Sequence, residues 1–315
     1  MKKIIPMMAA LLAPLGLLAQ EKKGPYESGF ELPGSRAEVY KTIGDVKLKI
    51  YIYGPKGHKA GAKRPAIVFF FGGGWRGGTP RQFLEHCRYL ASKGMVAMTV
   101  DYRVSSRQGT KPVHCVRDGK SAVRWIRQNA DRLGIDPDRV VSGGGSAGGH
   151  VAACTGTLPK HDEPGEDAKV SSVPNALVLY NPVISTALAD GVTPYGGDTN
   201  ETLMTRLGLK DPATLSPYHN IRKDLPPTLV LHGKADTTVP YSTAEAYVKE
   251  ATKTGLRAEL VGYEDMPHGF FNFGRRDNKM FLATVTRMHE FLGSLGYVKG
   301  RPAVEKHLKR LAKRN

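Results

Sequence analysis

Six short apolar runs recur along the chain: AIVFFF (66–71), MVAMTVDY (95–102), RVVSG (139–143), NALVLYNP (175–182), TLVLHG (228–233) and AELVGYE (258–264). A strand with one wet face alternates apolar and polar residues, and these runs are nearly continuous instead, as expected of strands covered on both faces. Between them lie segments with helical spacing of apolar residues, at 81–94, 111–134, 241–255 and 281–296, each ending at a glycine. Strand and helix in repeated alternation predict an α/β fold: a mostly parallel, doubly wound sheet flanked by helices, with a small cap built from loops. The segment DVKLKIYIY (45–53) alternates and reads as an edge or half-buried antiparallel strand. Two stretches, 20–44 and 181–224, are irregular and rich in Pro, Gly, Asp and Thr; either is placed to cover a ligand-binding face, and 20–44 is a candidate cap.

The length of 315 residues suits one catalytic domain, set at 45–297, between a leader and a tail. The leader, MKKIIPMMAALLAPLGLLAQ, has two lysines, an apolar stretch broken by Pro6 and Pro14, and small residues before Gln20. This is a secretory signal pattern over 1–19, with cleavage expected near Ala19 and a periplasmic or secreted product; a retained anchor is the alternative. The formal charge of +17 invites a nucleic-acid reading, but its distribution argues against one. Two lysines leave with the leader, and the last 17 residues hold seven basic residues against Glu305, leaving +9 spread over the body. The 298–315 tail reads as a solvated, partly helical extension able to touch an acidic surface. Cys87, Cys115 and Cys154 are too few for a disulfide framework. Cys154 reads as a buried small hydrophobe, and pairing of Cys87 with Cys115 is open. No metal-ligand spacing appears.

The run ending at residue 143 leads into VVSGGGSAGGH (140–150), a serine among five glycines. Glycine costs about 1 kcal/mol relative to alanine inside a regular element, so such a cluster implies a geometric demand. Gly144-Gly145-Ser146-Ala147-Gly148 is a G-x-S-x-G sequence between a strand and a helical pattern. A strand turning sharply into a helix strains its apex residue and brings neighbours too close for Cβ atoms. Ser146 is therefore the candidate nucleophile, held over a helix N-terminus that favours negative charge. Gly72-Gly73-Gly74 follows the AIVFFF strand and Phe71, where backbone amides are free to face a ligand. Beside an elbow it reads as an oxyanion loop, with Gly73 and Gly74 donating alongside Ala147.

From about 38 to 297 the chain resembles the α/β-hydrolase superfamily, in the branch similar to hormone-sensitive lipase and bacterial acetyl esterases. The glycine loop, DYRV (101–104), AVRWIRQNADRLGIDPDRV (122–140), the elbow, LHGKADTTVP (231–240) and HGFFN (268–272) carry the resemblance. The family has a histidine before its three glycines, taken to brace the loop, where this chain has Phe71. In that superfamily an acid and then a histidine follow the serine, each in a loop after a strand. The resemblance thus implies Asp236 and His268, with Glu264 or Asp265 as alternative acids. His150 is expected to point down its helix, and His232 to brace a strand end.

The leading reading is a serine carboxylic ester hydrolase for short acyl chains, working through an acyl-enzyme without cofactor or metal. A carbohydrate esterase of the acetyl xylan or feruloyl type is an alternative, for which Trp75, Tyr102 and Tyr195 offer a sugar-stacking surface or else core. A prolyl-oligopeptidase-like exopeptidase is another, although such proteins generally carry a large propeller ahead of the hydrolase domain. A noncatalytic binding protein on the same fold is the last. The partner expected is a small-molecule or carbohydrate ester, not nucleic acid.

Overall fold

A computed structural model describes residues 26–189, 191–195 and 199–313, so the leader expected over 1–19 lies outside the described residues. Strands β1 (Tyr26–Glu27), β2 (Arg36–Ile43), β3 (Val46–Tyr53) and β4 (Arg64–Phe70) come first. Then follow α1 (Leu84–Ser92), β5 (Val96–Val100), α2 (Ser105–Gln108), α3 (Pro112–Gln128), β6 (Ile135–Gly145), α4 (Ala147–Thr157) and β7 (Ala176–Tyr180). The last elements are α5 (Asn200–Leu207), β8 (Thr228–Gly233), α6 (Tyr241–Lys253), β9 (Ala258–Tyr263), α7 (Lys279–Ser294) and α8 (Val304–Ala312). No helix among the described residues is long and apolar enough to cross a membrane.

Among the described residues the strands form one sheet in the order β1-β3-β5-β4-β6-β7-β8-β9, with β2 paired to β3. Every pairing from β5 through β9 is parallel. The central strand β4 shows why its sequence is continuously apolar. Ala66, Val68 and Phe70 enter the core on one face, while Ile67 and Phe69 enter the core on the other. Full burial of each large side chain contributes about 1.5–3 kcal/mol, so both faces are fastened by hydrophobic burial. Since β5 flanks β4 on one side and β6 on the other, the connections diverge there and open a crevice at the carboxyl ends of the strands. This α/β-hydrolase arrangement is the fold class the sequence predicts.

Several local expectations are corrected. Residues 36–43, inside the irregular 20–44 stretch, form a strand whose buried Lys41 pairs with Asp118 at 2.7 Å and Glu163 at 2.6 Å. A charged residue hid this strand because its partners lie far along the chain. β3 is not an edge: β1, β2 and β5 all pair with it. β9, by contrast, is the edge and only half-buried throughout. The tail is not solvated along its length. α8 buries Val304 and His307, with His307 Nε2 at 3.2 Å from Glu85. Cys87 and Cys115 are free and buried in the cores on opposite faces of the sheet, which rules out their pairing. Cys154 is fully buried, as expected.

Candidate active site

β6 runs into α4 with only Ser146 between them, so the chain must reverse its course in one residue. Ser146 takes φ 56° and ψ −123°, a conformation that L-residues seldom hold and that only a well-determined surrounding sustains. The neighbouring glycines are explained by proximity rather than flexibility. A Cβ on Gly144 would overlap the Gly148 carbonyl oxygen, and one on Gly148 would overlap the Phe70 and Phe71 carbonyl oxygens. The elbow is further pinned by hydrogen bonds. Ser146 N–H donates to the Tyr180 carbonyl at 2.9 Å, and the Ser146 carbonyl accepts from the Val183 amide at 3.2 Å.

Asp236 lies in the turn after β8, where Oδ1 accepts from the Thr238 and Val239 amides at 2.9 Å each. Its Oδ2 faces His268 Nδ1 at 2.7 Å and His232 Nε2 at 3.3 Å. Burial alone would raise this carboxyl's pKa, but hydrogen bonds from His232, His268 and the Val239 amide outweigh it and hold the group far below the usual carboxylate range. His268 lies in the loop after β9 with its Nε2 at 2.9 Å from Ser146 Oγ. Residues 236, 268 and 146 thus form one continuous hydrogen-bonded line, with Nδ1–H donating to the acid and Nε2 accepting from the serine hydroxyl. Neither alternative acid joins it: Glu264 pairs with Lys234 at 2.5 Å, and the His268 Nδ1 contact belongs to Asp236.

Gly73 and Gly74 line a cleft of about 290 Å³ together with Ser146 and His268. The Gly72 amide is taken by Gln82 Oε1 at 2.6 Å. Gly73 carries φ 127° and its carbonyl accepts from the Arg76 and Gly77 amides, so the loop curls tightly on itself. Ala147 begins α4 beside the serine. The brace that the family places on a histidine is supplied here by an aromatic stack. Phe71 lies against Tyr102 with ring centroids 4.1 Å apart, and the Tyr102 hydroxyl donates to the Phe71 carbonyl. His150 is buried down the helix, its Nε2 on the Leu215 carbonyl at 2.8 Å, and His232 holds the Val239 carbonyl at 3.0 Å.

The profile of the BD-FAE family matches residues 50–250. The chain belongs to the BD-FAE family. Its relatives are esterases of the α/β-hydrolase superfamily, in the hormone-sensitive-lipase-like branch. It is similar to Esterase LipC of Mycobacterium tuberculosis, 29% identical over 65% of this chain and 53% of LipC. It is also similar to Carboxylesterase NlhH of Mycobacterium tuberculosis, 27% identical over 66% of this chain and 67% of NlhH. This BD-FAE chain spans about half the length of relatives such as LipC. Among solved structures it is similar to native Est2, a thermophilic esterase from the planctomycete Thermogutta terrifontis, at 48% identity and a TM-score of 0.82, covering 87% of this chain and 96% of that one.

The BD-FAE cleft also contains residues the sequence did not single out. The Gly269 amide donates to Asn181 Oδ1 at 3.2 Å, Asn272 Nδ2 donates to the Gly269 carbonyl at 2.8 Å, and Gln82 Nε2 donates to Asn272 Oδ1 at 2.9 Å. Because Gln82 also holds Gly72, these amides tie the histidine loop to the oxyanion loop. Nothing local marks them, as each acts on a residue distant in sequence. Of the two irregular stretches, 181–224 supplies Asn181 and Tyr195 to the cleft, whereas none of the described residues 26–44 lines it. Trp75 and Tyr102 are buried, which leaves Tyr195 alone of the three suggested stacking residues in the cleft.

Proposed function

We propose that this BD-FAE protein hydrolyses short-chain carboxylic esters through Ser146, His268 and Asp236. The contacts of 2.9 Å from serine to imidazole and 2.7 Å from imidazole to carboxylate carry the reading. His268 Nε2 takes the hydroxyl proton as Ser146 Oγ attacks the ester carbonyl, and ionised Asp236 stabilises the imidazolium. The carbonyl oxygen becomes an oxyanion received by the amides of Gly73, Gly74 and Ala147, a contribution of about 3 kcal/mol per well-placed donor. Collapse expels the alcohol, which takes its proton from His268. Water, deprotonated by the same imidazole, then attacks the acyl-serine and releases the acid.

The small cleft supports a short acyl group, and solved forms of the similar Est2 hold propionate and butyrate. A carbohydrate ester is the second reading, favoured by the cleft's polar walls: Gln82, Asn181, Thr238 and Asn272 stand there against Phe271 and Tyr195 as its large apolar surfaces. The leader supports a secreted or periplasmic enzyme, where such esters are met. A fluorophosphonate probe that labels the wild type but not Ser146→Ala, together with turnover of p-nitrophenyl acetate above longer acyl esters, is the expected result. Faster cleavage of Ala-Pro anilides than of acetate would instead make the protein a peptidase.

A further inference from the structure

The catalytic cleft does not end at the oxyanion loop. A second cavity, of about 490 Å³, adjoins it, with Gly74 and Tyr195 lining both. Among the described residues their charged lining is of one sign. Arg275 stands in the catalytic cleft, and Arg76, Lys111 and Arg206 line the neighbouring cavity, while no carboxylate of the described residues lines either. Arg76 and Arg275 are exposed, and no carboxylate of the described residues lies within salt-bridge distance of either guanidinium. Arg206 lies over two rings, its guanidinium carbon 4.5 Å from the Tyr195 centroid and 5.7 Å from that of Trp75. Lys111 is anchored by donation to the Thr205 carbonyl at 3.1 Å. Cations from the oxyanion loop, the start of α3, α5 and the histidine loop therefore line the catalytic cleft and the cavity beside it.

Resting on the esterase reading above, we propose that the preferred substrate is an ester carried by a polyanionic chain, its carboxylates flanking the scissile group. A neutral ester gains nothing from the exposed guanidinium groups of Arg275 in the cleft and Arg76 beside it, whereas a carboxylate-bearing chain is both drawn in and fixed in register by them. The polar walls suit hydroxyl-bearing units, and a second cavity beside the cleft suits a chain of more than one unit. An acidic oligosaccharide with esterified hydroxyls meets all three conditions. Guanidinium groups recognise carboxylates in planar, two-point fashion, which favours uronates over isolated charges.

Acetylated polygalacturonate, compared with the same polymer after its carboxylates are converted to primary amides, tests this through acetate release. The expected kcat/KM ratio is about tenfold in favour of the acidic polymer at low salt, falling below about twofold near 0.5 M salt as the Debye length shrinks. In Arg76→Gln/Arg275→Gln the low-salt ratio should approach one, whereas Arg76→Lys/Arg275→Lys, which keeps the charge but not the two-point contact, should fall between that variant and the wild type. The readout is a ratio within each variant, so changes in basal rate cancel. Equal rates on the two polymers, or a ratio unmoved by both salt and the double glutamine variant, would overturn the proposal while leaving the esterase reading intact. Wild-type protein unable to hydrolyse p-nitrophenyl acetate would overturn the esterase reading itself.

Discussion

The elbow and the histidine loop deliver two ends of one hydrogen bond, yet they are built on different principles. At the elbow, backbone presses on backbone: Gly144 and Gly148 sit where a methyl group has no room, and the strand and helix on either side are buried. The histidine loop, from Asp265 to Arg275, is partly exposed and is held by the side-chain amides of Asn181 and Asn272. A site can thus take its nucleophile from backbone sterics and its base from side-chain hydrogen bonds, one of them within the loop and one from far along the chain. The first construction is rigid because it has no alternative; the second depends on each polar partner staying in place.

The sharpest way to break this contrast is to remove charge from the distant side without altering shape. Asp236→Asn keeps the outline of the acid but cannot stabilise the imidazolium, and it favours the wrong tautomer of His268. kcat/KM for p-nitrophenyl acetate should fall by about 10⁴. A loss of only tenfold would mean that Asp236 does not orient the base. Stability supplies a second sign. The folded pKa of Asp236 lies below its unfolded value, so its stabilising contribution is complete above the unfolded value of about 3.9 and is lost as pH falls toward and through the folded value. The variant should therefore be less stable than wild type at pH 7, with the gap closing in strong acid.

The next largest effect compares one glycine from each side. A methyl on Gly148 would strike the Phe70 and Phe71 carbonyl oxygens, and neither backbone can retreat without disturbing β4. Gly148→Ala should cost more than about 3 kcal/mol, toward the upper end of overpacking effects. Gly269 has φ 71°, and a methyl there would find Asn272 Nδ2 as its nearest neighbour, at 3.1 Å. Gly269→Ala should cost about 1–2 kcal/mol, the ordinary penalty of a left-handed backbone. Urea midpoints measure both, and equal losses would erase the distinction between the two constructions.

The same distinction explains what the sequence made legible. β4, β6, β7 and β8 declared themselves because burial on both faces writes a continuous apolar run, and the elbow did so because steric exclusion writes glycines. β2 did not, since its burial of Lys41 makes sense only once Asp118 and Glu163 are brought beside it. α8 looked like a solvated basic tail for a related reason: its docking surface, Glu85 and Tyr89 on α1, lies more than 200 residues earlier. Asp236 and His268 were reached through family resemblance, because a lone Asp and a lone His after strands carry little information by themselves. Gln82 and Asn181 had no resemblance to lean on, and Asn272 lay in the HGFFN segment with no role attached to it.

A smaller effect lies beneath the histidine loop. His86 on α1 is fully buried, neither ring nitrogen has a hydrogen-bond partner among the described residues, and its ring meets that of Phe271, which also lines the cleft. Burial, reinforced by repulsion from His307, lowers its pKa from 6.5 to about 3. For a base depressed in the folded state, the unfolded chain takes up the proton first. Stability is therefore complete above about pH 6.5 and declines as pH falls toward 3. At 1.36 kcal/mol per unit, the loss from this group reaches about 2 kcal/mol by pH 5. His86→Phe should abolish that share of the acid sensitivity, seen as a smaller drop in Tm from pH 7 to pH 5. An unchanged pH slope would show that His86 is not its source.

The mildest test acts on the bridge between the two loops. Asn272 receives Gln82 and holds the Gly269 carbonyl, so its side chain couples the position of His268 to that of the oxyanion loop. Asn272→Ala removes the coupling without touching Ser146, His268 or Asp236. A histidine loop that depends on polar partners should then sample geometries in which Nε2 is misplaced, lowering kcat about tenfold, or 1.4 kcal/mol, with little change in KM. Gln82→Ala should reproduce most of that loss, and the double variant should add far less than the sum, because both single changes cut the same link. Additive losses would mean that the two amides act separately, in which case the histidine loop would be held by local contacts of its own, much as the elbow is.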